Sequence, residues 1–196
     1  MKSISTRGLI FSALFAAVII AISYLKIVLP ISPVPITLTT LAIMLTGAIL
    51  GARYGTLSVL LVLLLVAAGF PVLGGRGGIS LLIGPSAGFI WAWPFATFLI
   101  GFFAQRIKKD QYTFVKLLVI TFVFGSLFLY PSGVGWLAYK TGIDSLSKAL
   151  TGGMWPFLPG DFAKALVSSA VVTSVWKVYS TERIIGLPEK TAHESV

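Results

Sequence analysis

The feature that most constrains this chain is where its charges are absent. Five stretches carry no Asp, Glu, Lys or Arg at all: Gly8–Leu25, Ile27–Ala52, Tyr54–Gly75, Gly77–Gln105 and Leu117–Tyr139. Crossing ~30 Å of hydrocarbon at 1.5 Å per helical residue takes ~20 mostly apolar residues, and these runs approach or exceed that length. A sixth, near Gly160–Val178, is apolar except for Asp161, Lys164 and, at its end, Lys177. Only 11% of the residues are charged and 57% are hydrophobic, whereas a soluble domain is about one-quarter charged. The chain has no cysteine and a single histidine, His193, in a polar tail. That composition removes disulfide frameworks, thiolate metal sites and most histidine-based catalysis. An all-α integral membrane protein is the reading that remains.

Prolines and glycines trim the runs to helices. Pro30, Pro33 and Pro35 forbid a continuous helix, so the second span is expected to begin near Ile36. Arg53-Tyr54-Gly55 reads as a tight turn, Pro71 and Gly74–Gly78 close the third span, and Pro85 opens the fourth. The expected spans are 8–29, 36–52, 55–73, 85–105, 113–131 and 160–179, a single transmembrane domain over 1–180 with a cytoplasmic tail at 181–196. A short helical pattern at Asp144–Leu150 lies between the last two. Lys2 and Arg7 before an apolar run resemble a signal peptide, but the run is long and has no small-residue cleavage site, so it is read as the first helix.

The formal net charge of +9 describes orientation. Ten cations flank one side: Lys2, Arg7, Arg53, Arg106, Lys108, Lys109, Lys116, Lys177, Arg183 and Lys190. Four flank the other: Lys26, Arg76, Lys140 and Lys148. The positive-inside bias makes the first side, with both termini, cytoplasmic. No nucleic-acid partner is expected, because such binding uses a clustered basic surface on a soluble module.

Two catalytic-looking motifs fail on context. Gly84-Pro85-Ser86-Ala87-Gly88 matches G-x-S-x-G, yet Ser86 and His193 sit at opposite ends of the membrane and no other histidine exists to act as base. Gly133–Ala138 matches G-x-G-x-x-A but closes a membrane helix rather than following a strand. No Walker A sequence occurs, so no ATP site is built into this chain. Ala13, Ala17 and Ala21 share one face of the first helix, and Gly47, Gly51 and Gly55 recur at the same spacing. Such faces serve either internal helix packing or external docking.

Asp161 and Lys164 are the sharpest local signal. At i and i+3 they share a helix face, and ionisable residues inside a membrane by default face a cavity or a partner. The alternatives are a purely mutual ion pair, or an Asp161 helix cap with Lys164 reaching outward. Trp91, Trp93, Trp136, Tyr139, Trp155 and Phe157 supply aromatic surface on the same side, either for a pocket or for the membrane interface.

Three segments resemble one family: Ile31-Ser32-Pro33-Val34-Pro35-Ile36-Thr37-Leu38-Thr39-Thr40-Leu41, Leu82-Ile83-Gly84-Pro85-Ser86-Ala87-Gly88 after the Gly-rich loop, and Trp155-Pro156-Phe157-Leu158-Pro159-Gly160-Asp161-Phe162-Ala163-Lys164. They are similar to BioY, the biotin-specific S-component of energy-coupling factor (ECF) transporters. The resemblance implies a six-helix S-component bundle in a prokaryotic plasma membrane that captures biotin from outside. It implies docking through Ala13, Ala17 and Ala21 on a transmembrane T-component carried by two ABC-type ATPases. Biotin enters as cargo, and no cofactor, metal or catalytic residue is expected. The expected substrate-binding residues are Asp161, Lys164, Gly74, Gly75, Arg76, Trp136, Tyr139, Thr37 and Ser86. Asp161 and Lys164 would meet the ureido ring, whose N–H groups suit a carboxylate and whose carbonyl suits an ammonium. The biotin carboxylate would meet Lys164, Arg76 or backbone N–H groups of Gly74–Gly78, with that loop and Ser32–Thr37 as lid. The competing reading is a solo or ion-coupled transporter working as an oligomer. It would be expected to show inverted repeats and broken midplane helices, which this sequence does not clearly carry.

Overall fold

The computed structural model describes residues 5–27 and 32–186. Lys2, Lys190, His193, Pro30 and the last residues of the expected first span therefore lie outside the described residues. The described residues are mostly helical. Helix α1 (Thr6–Ser23) is capped by Ser5, whose hydroxyl accepts from Gly8 N. It buries Gly8, Ser12, Ala16, Ile19 and Ser23 along one stripe. Gly8 lies flat on the Tyr54 ring, and the Ser12 hydroxyl is shared between the carbonyls of Gly8 and Tyr54. Ala13, Ala17 and Ala21 occupy the opposite, exposed face.

The chain then forms a two-stranded antiparallel ribbon, β1 (Lys26–Ile27) with β2 (Ile36–Thr37), pairing Lys26 with Thr37. This corrects the start expected for the second span. Ile36 and Thr37 are held extended, Leu38 N donates to Leu25 O at 3.1 Å, and helix α2 begins at Thr39.

Helix α2 (Thr39–Ala67) is broken at Gly51, whose φ of 75° and ψ of −178° suit glycine alone. A methyl built on Gly55 would stand 3.0 Å from Thr46 O and 3.2 Å from Gly47 Cα. Residues so far apart along one straight helix cannot meet, so the two limbs fold back against each other. The reversal falls at Gly51, just before the expected Arg53-Tyr54-Gly55 turn; Tyr54 and Gly55 already belong to the second limb. Gly47, Gly51 and Gly55 are all buried in this seam, with Gly47 against Thr97 and Ile100 and Gly51 against Gln105. The first limb rises only about 18 Å at 1.5 Å per residue. Its Thr39–Thr40 end therefore starts well inside the bundle, which matters for the site.

After a tight turn bridging Leu73 and Arg76, the short helix α3 (Ile79–Leu82) leads into α4 (Ala87–Ala104). Helix α4 packs most extensively on α2. Helix α5 (Thr113–Phe122) passes through a π-helical turn at Val123–Leu127 into α6 (Leu129–Thr141). The fifth expected span, 113–131, is thus too short, since helix continues to Thr141. Pro131 has no N–H for the Leu127 carbonyl and its ring would crowd that carbonyl. The widened turn just before it lets the helix carry on. Gly142, at φ 68°, ends α6.

The amphipathic helix α7 (Leu146–Gly153) packs on α6. Helix α8 (Leu158–Val178) lies against α5 and α2, and α9 (Thr181–Ile185) closes over α1 and α2. Among the described residues, four helical stretches are long and apolar enough to cross a membrane: Thr6–Ser23, Thr39–Ala67, Ala87–Ala104 and Thr113–Thr141. Lys116 of α5 hydrogen-bonds the carboxylate of Asp110, in the loop before that helix, at 2.6 Å and holds its pKa below the ordinary range.

Candidate functional site

Helix α8 begins directly after Phe157, with Pro159 in its first turn. That start puts Asp161 and Lys164 on the face turned into the bundle, 6% and 7% exposed. Lys164 Nζ donates to Asp161 Oδ1 at 2.8 Å and to Thr40 Oγ1 at 3.1 Å. Tyr130 Oη, from α6, donates to Asp161 Oδ2 at 2.7 Å. Three helices therefore converge on one carboxylate–ammonium pair. The low first limb of α2 brings Thr40 within reach, and the π-turn sets the rotation of α6 that aims Tyr130.

The pair lies in the wall of a cavity enclosed by an apolar, aromatic shell that includes Val34, Leu73, Leu81, Phe89, Ile90, Trp93, Leu129 and Phe157. Thr37, Thr39, Ser86 and Ser126 add hydroxyls, and Gly74, Arg76 and Lys26 line its side nearest the Leu73–Arg76 turn. Lys26 Nζ donates to Gly74 O at 2.6 Å, and Ser23 Oγ accepts from Gly74 N at 2.9 Å. The turn is thereby pinned to the end of α1. Across the opening, Ser32 Oγ donates to Gly152 O at 2.6 Å and accepts from Val34 N at 3.1 Å. This ties the first loop to the end of α7.

Burying a charged pair is costly unless its remaining lone pairs and protons are satisfied. Here each partner keeps spare capacity. A carboxylate offers about four acceptor sites and an ammonium three donors. Asp161 uses two of its sites and Lys164 two of its donors. What remains suits a ligand group that presents N–H donors beside a carbonyl acceptor.

Of the residues expected to bind substrate, the structure brings Asp161, Lys164, Gly74, Arg76, Thr37 and Ser86 together around the cavity. Gly75, Trp136 and Tyr139 are not among its lining. Gly75 faces open space. Trp136 donates through Nε1 to Gly84 O at 2.9 Å and packs over Gly88. Tyr139 is 78% exposed. The reason is rotational. At about 100° per residue, Tyr139 stands half a turn away from Tyr130 and Trp136 about a third of a turn.

The sequence reading missed Tyr130, Thr40 and Ser126, took Lys26 only as a marker of topology, and left Trp93 among the aromatics of unsettled role. No local signal separates Tyr130 from Tyr139, a second hydroxyl-bearing aromatic in the same helix.

Comparison with known proteins agrees with this architecture. The sequence profile of the BioY family matches residues 1–181, and the chain belongs to that family. It is 41% identical over 181 residues to the biotin transporter BioY of Rhizobium etli, covering 89% of this chain and 96% of that protein. It is 38% identical over 175 residues to the biotin transporter BioY of Lactococcus lactis, covering 87% and 91%. Among solved structures it resembles the S-component for biotin from an ECF-type ABC transporter. That match has a TM-score of 0.82 and 38% identity, covering 89% of this chain and 93% of the other.

Proposed function

We propose that this member of the BioY family captures biotin and delivers it as the S-component of an ECF-type, ATP-driven transporter. It is a binding and transport subunit, not an enzyme. The observation that carries the reading is the buried Asp161–Lys164 pair, 2.8 Å apart, set in an aromatic cavity whose lining also includes Lys26 and Arg76. Biotin has the complementary order of chemistry. Its ureido head carries two N–H donors and a carbonyl, its thioether ring is apolar, and its side chain ends in a carboxylate. The ureido N–H groups take the free lone pairs of Asp161, and the carbonyl takes the third N–H of Lys164. The carboxylate then faces Lys26, Arg76 and the backbone of the Leu73–Arg76 turn.

In this reading the chain sits in the plasma membrane of a prokaryotic cell, with both termini cytoplasmic and the Lys26–Arg76 end of the cavity outside. Energy comes from partners, a T-component and two ABC-type ATPases, since the sequence holds no Walker A motif. The exposed Ala13/Ala17/Ala21 stripe on α1 supports docking there, because small residues let a partner helix approach closely. Biotin is cargo, and the reading calls for no resident cofactor.

The test is whether the purified, detergent-solubilised chain carries or binds biotin, read by mass spectrometry and isothermal titration. Asp161→Asn is expected to weaken binding tenfold or more while extraction and helicity stay unchanged. Wild-type affinity in that variant would remove Asp161 from the site.

A further inference from the structure

Two polar atoms in the cavity wall have no hydrogen-bond partner among the described residues. Trp93 Nε1 and Ser126 Oγ are buried and unbonded, on residues that both line the cavity and are 7% and 1% exposed. A buried donor without an acceptor costs free energy, and an indole N–H can only donate. The other deep polar groups, Tyr130, Asp161, Lys164 and Thr40, are joined to one another. Trp93 and Ser126 are thus the groups of this wall that an arriving ligand would have to satisfy.

Their positions narrow the choice of acceptor. Trp93 lies about 10 Å along α4 from Ser86, inward from the helix start. Ser126 precedes Tyr130, whose hydroxyl holds Asp161, by about one helical turn. Both line the same cavity as the ion pair. Taking biotin as the cargo, we infer that Trp93 Nε1–H and Ser126 Oγ–H donate to the ureido carbonyl. They would join Lys164 and make recognition of that oxygen depend on neutral donors as well as on the ammonium. This assigns the two residues a specificity role within the site proposed above and rests on that proposal.

The experiment compares Trp93→Phe and Ser126→Ala with the unaltered full-length chain, titrating biotin and desthiobiotin, which keeps the ureido ring and lacks the sulfur. Each variant is expected to lose roughly threefold to tenfold in affinity, equally for both ligands, as for one neutral hydrogen bond. Ligand-free melting temperature should stay level or rise, because an unpaired buried polar group has been removed. Wild-type affinity in both variants overturns the inference. So does a loss confined to biotin, which would place the donors on the thioether. A loss accompanied by a lower ligand-free melting temperature overturns it as well, since that marks a packing role. Failure of the unaltered chain to bind biotin is a separate result and overturns the proposed function itself.

Discussion

The Tyr130 hydroxyl donates to Asp161 Oδ2 at 2.7 Å while Lys164 holds Oδ1 at 2.8 Å. Each carboxylate oxygen is thus anchored from a different direction, one by α6 and the other from within α8. The plane of the carboxylate is set before any ligand arrives, so the lone pairs left over point where the fold puts them. Tyr130→Phe keeps the ring and removes one anchor. Biotin affinity should fall about tenfold, in line with a hydrogen bond to a charged group. Isothermal titration checks this, and unchanged affinity would mean that Lys164 alone orients Asp161.

Lys164→Met should be the most destabilising single change at the site. It leaves Asp161 buried with only Tyr130 and no counter-charge, a situation that costs about 3–5 kcal/mol. Adding Asp161→Asn to it removes the stranded charge, so the double variant should melt higher than Lys164→Met alone while binding no better. Thermal unfolding in detergent decides the matter. A double variant less stable than either single one would contradict the account of the pair as mutually compensating.

How much of this was visible beforehand follows from physics that can be named. Asp161 and Lys164 stood out because charges inside an apolar run are costly, and their i, i+3 spacing put them on one face. Burial on that face, against Thr40 and Tyr130, needed the structure. Trp136, Tyr139 and Tyr130 look alike in sequence, since an aromatic residue in a membrane helix carries no mark of which way it faces. Their directions depend on the phase of α6, which the π-turn at Val123–Leu127 resets. The fold-back of α2 was expected, but at Arg53-Tyr54-Gly55. Both Gly51 and Gly55 permit close packing, and only the backbone reveals that Gly51 takes the positive φ. The first limb is short, and that fact, hidden in a continuous apolar run, is what brings Thr40 to Lys164.

The α1 stripe offers a prediction that separates binding from assembly. Ala13, Ala17 and Ala21 are exposed, whereas Ala16 and Ile19 on the inner face are buried. Ala17→Leu should therefore leave biotin affinity and melting temperature of the isolated chain unchanged. It should reduce co-purification with a T-component, because the larger side chain holds the helices apart. Full co-purification would move the docking surface elsewhere.

Gly101 tests the reversal in α2. A methyl built there would overlap the backbone of Gly51 and Ala52, so α4 cannot keep its place against the bend. Gly101→Ala should cost about 1–3 kcal/mol, the usual range for overpacking a tight contact. The bend also carries the first limb, and with it Thr40. Some loss of biotin affinity should therefore accompany the lower melting temperature, although Gly101 is absent from the cavity lining. A variant as stable as the parent would show that the contact between α4 and Gly51 is looser than its geometry implies.

The other two cations of the cavity lining, Lys26 and Arg76, should act on one end of the ligand only. Lys26 is exposed at the edge and bonded to Gly74 O, and Arg76 closes the same turn. Both line the cavity, and the proposed orientation sets the biotin carboxylate against them and the ureido ring on the ion pair. Replacing both with Met should weaken biotin about tenfold at low salt. The effect should shrink as ionic strength rises, because partly exposed charges are screened over a Debye length of about 10 Å at 0.1 M. The amide of biotin has no charge to lose, so its affinity should be unaffected by the same double substitution. Equal losses for biotin and its amide would show that Lys26 and Arg76 shape the turn rather than meet the carboxylate. The orientation of the cargo would then have to be reversed, with its acid end on Lys164.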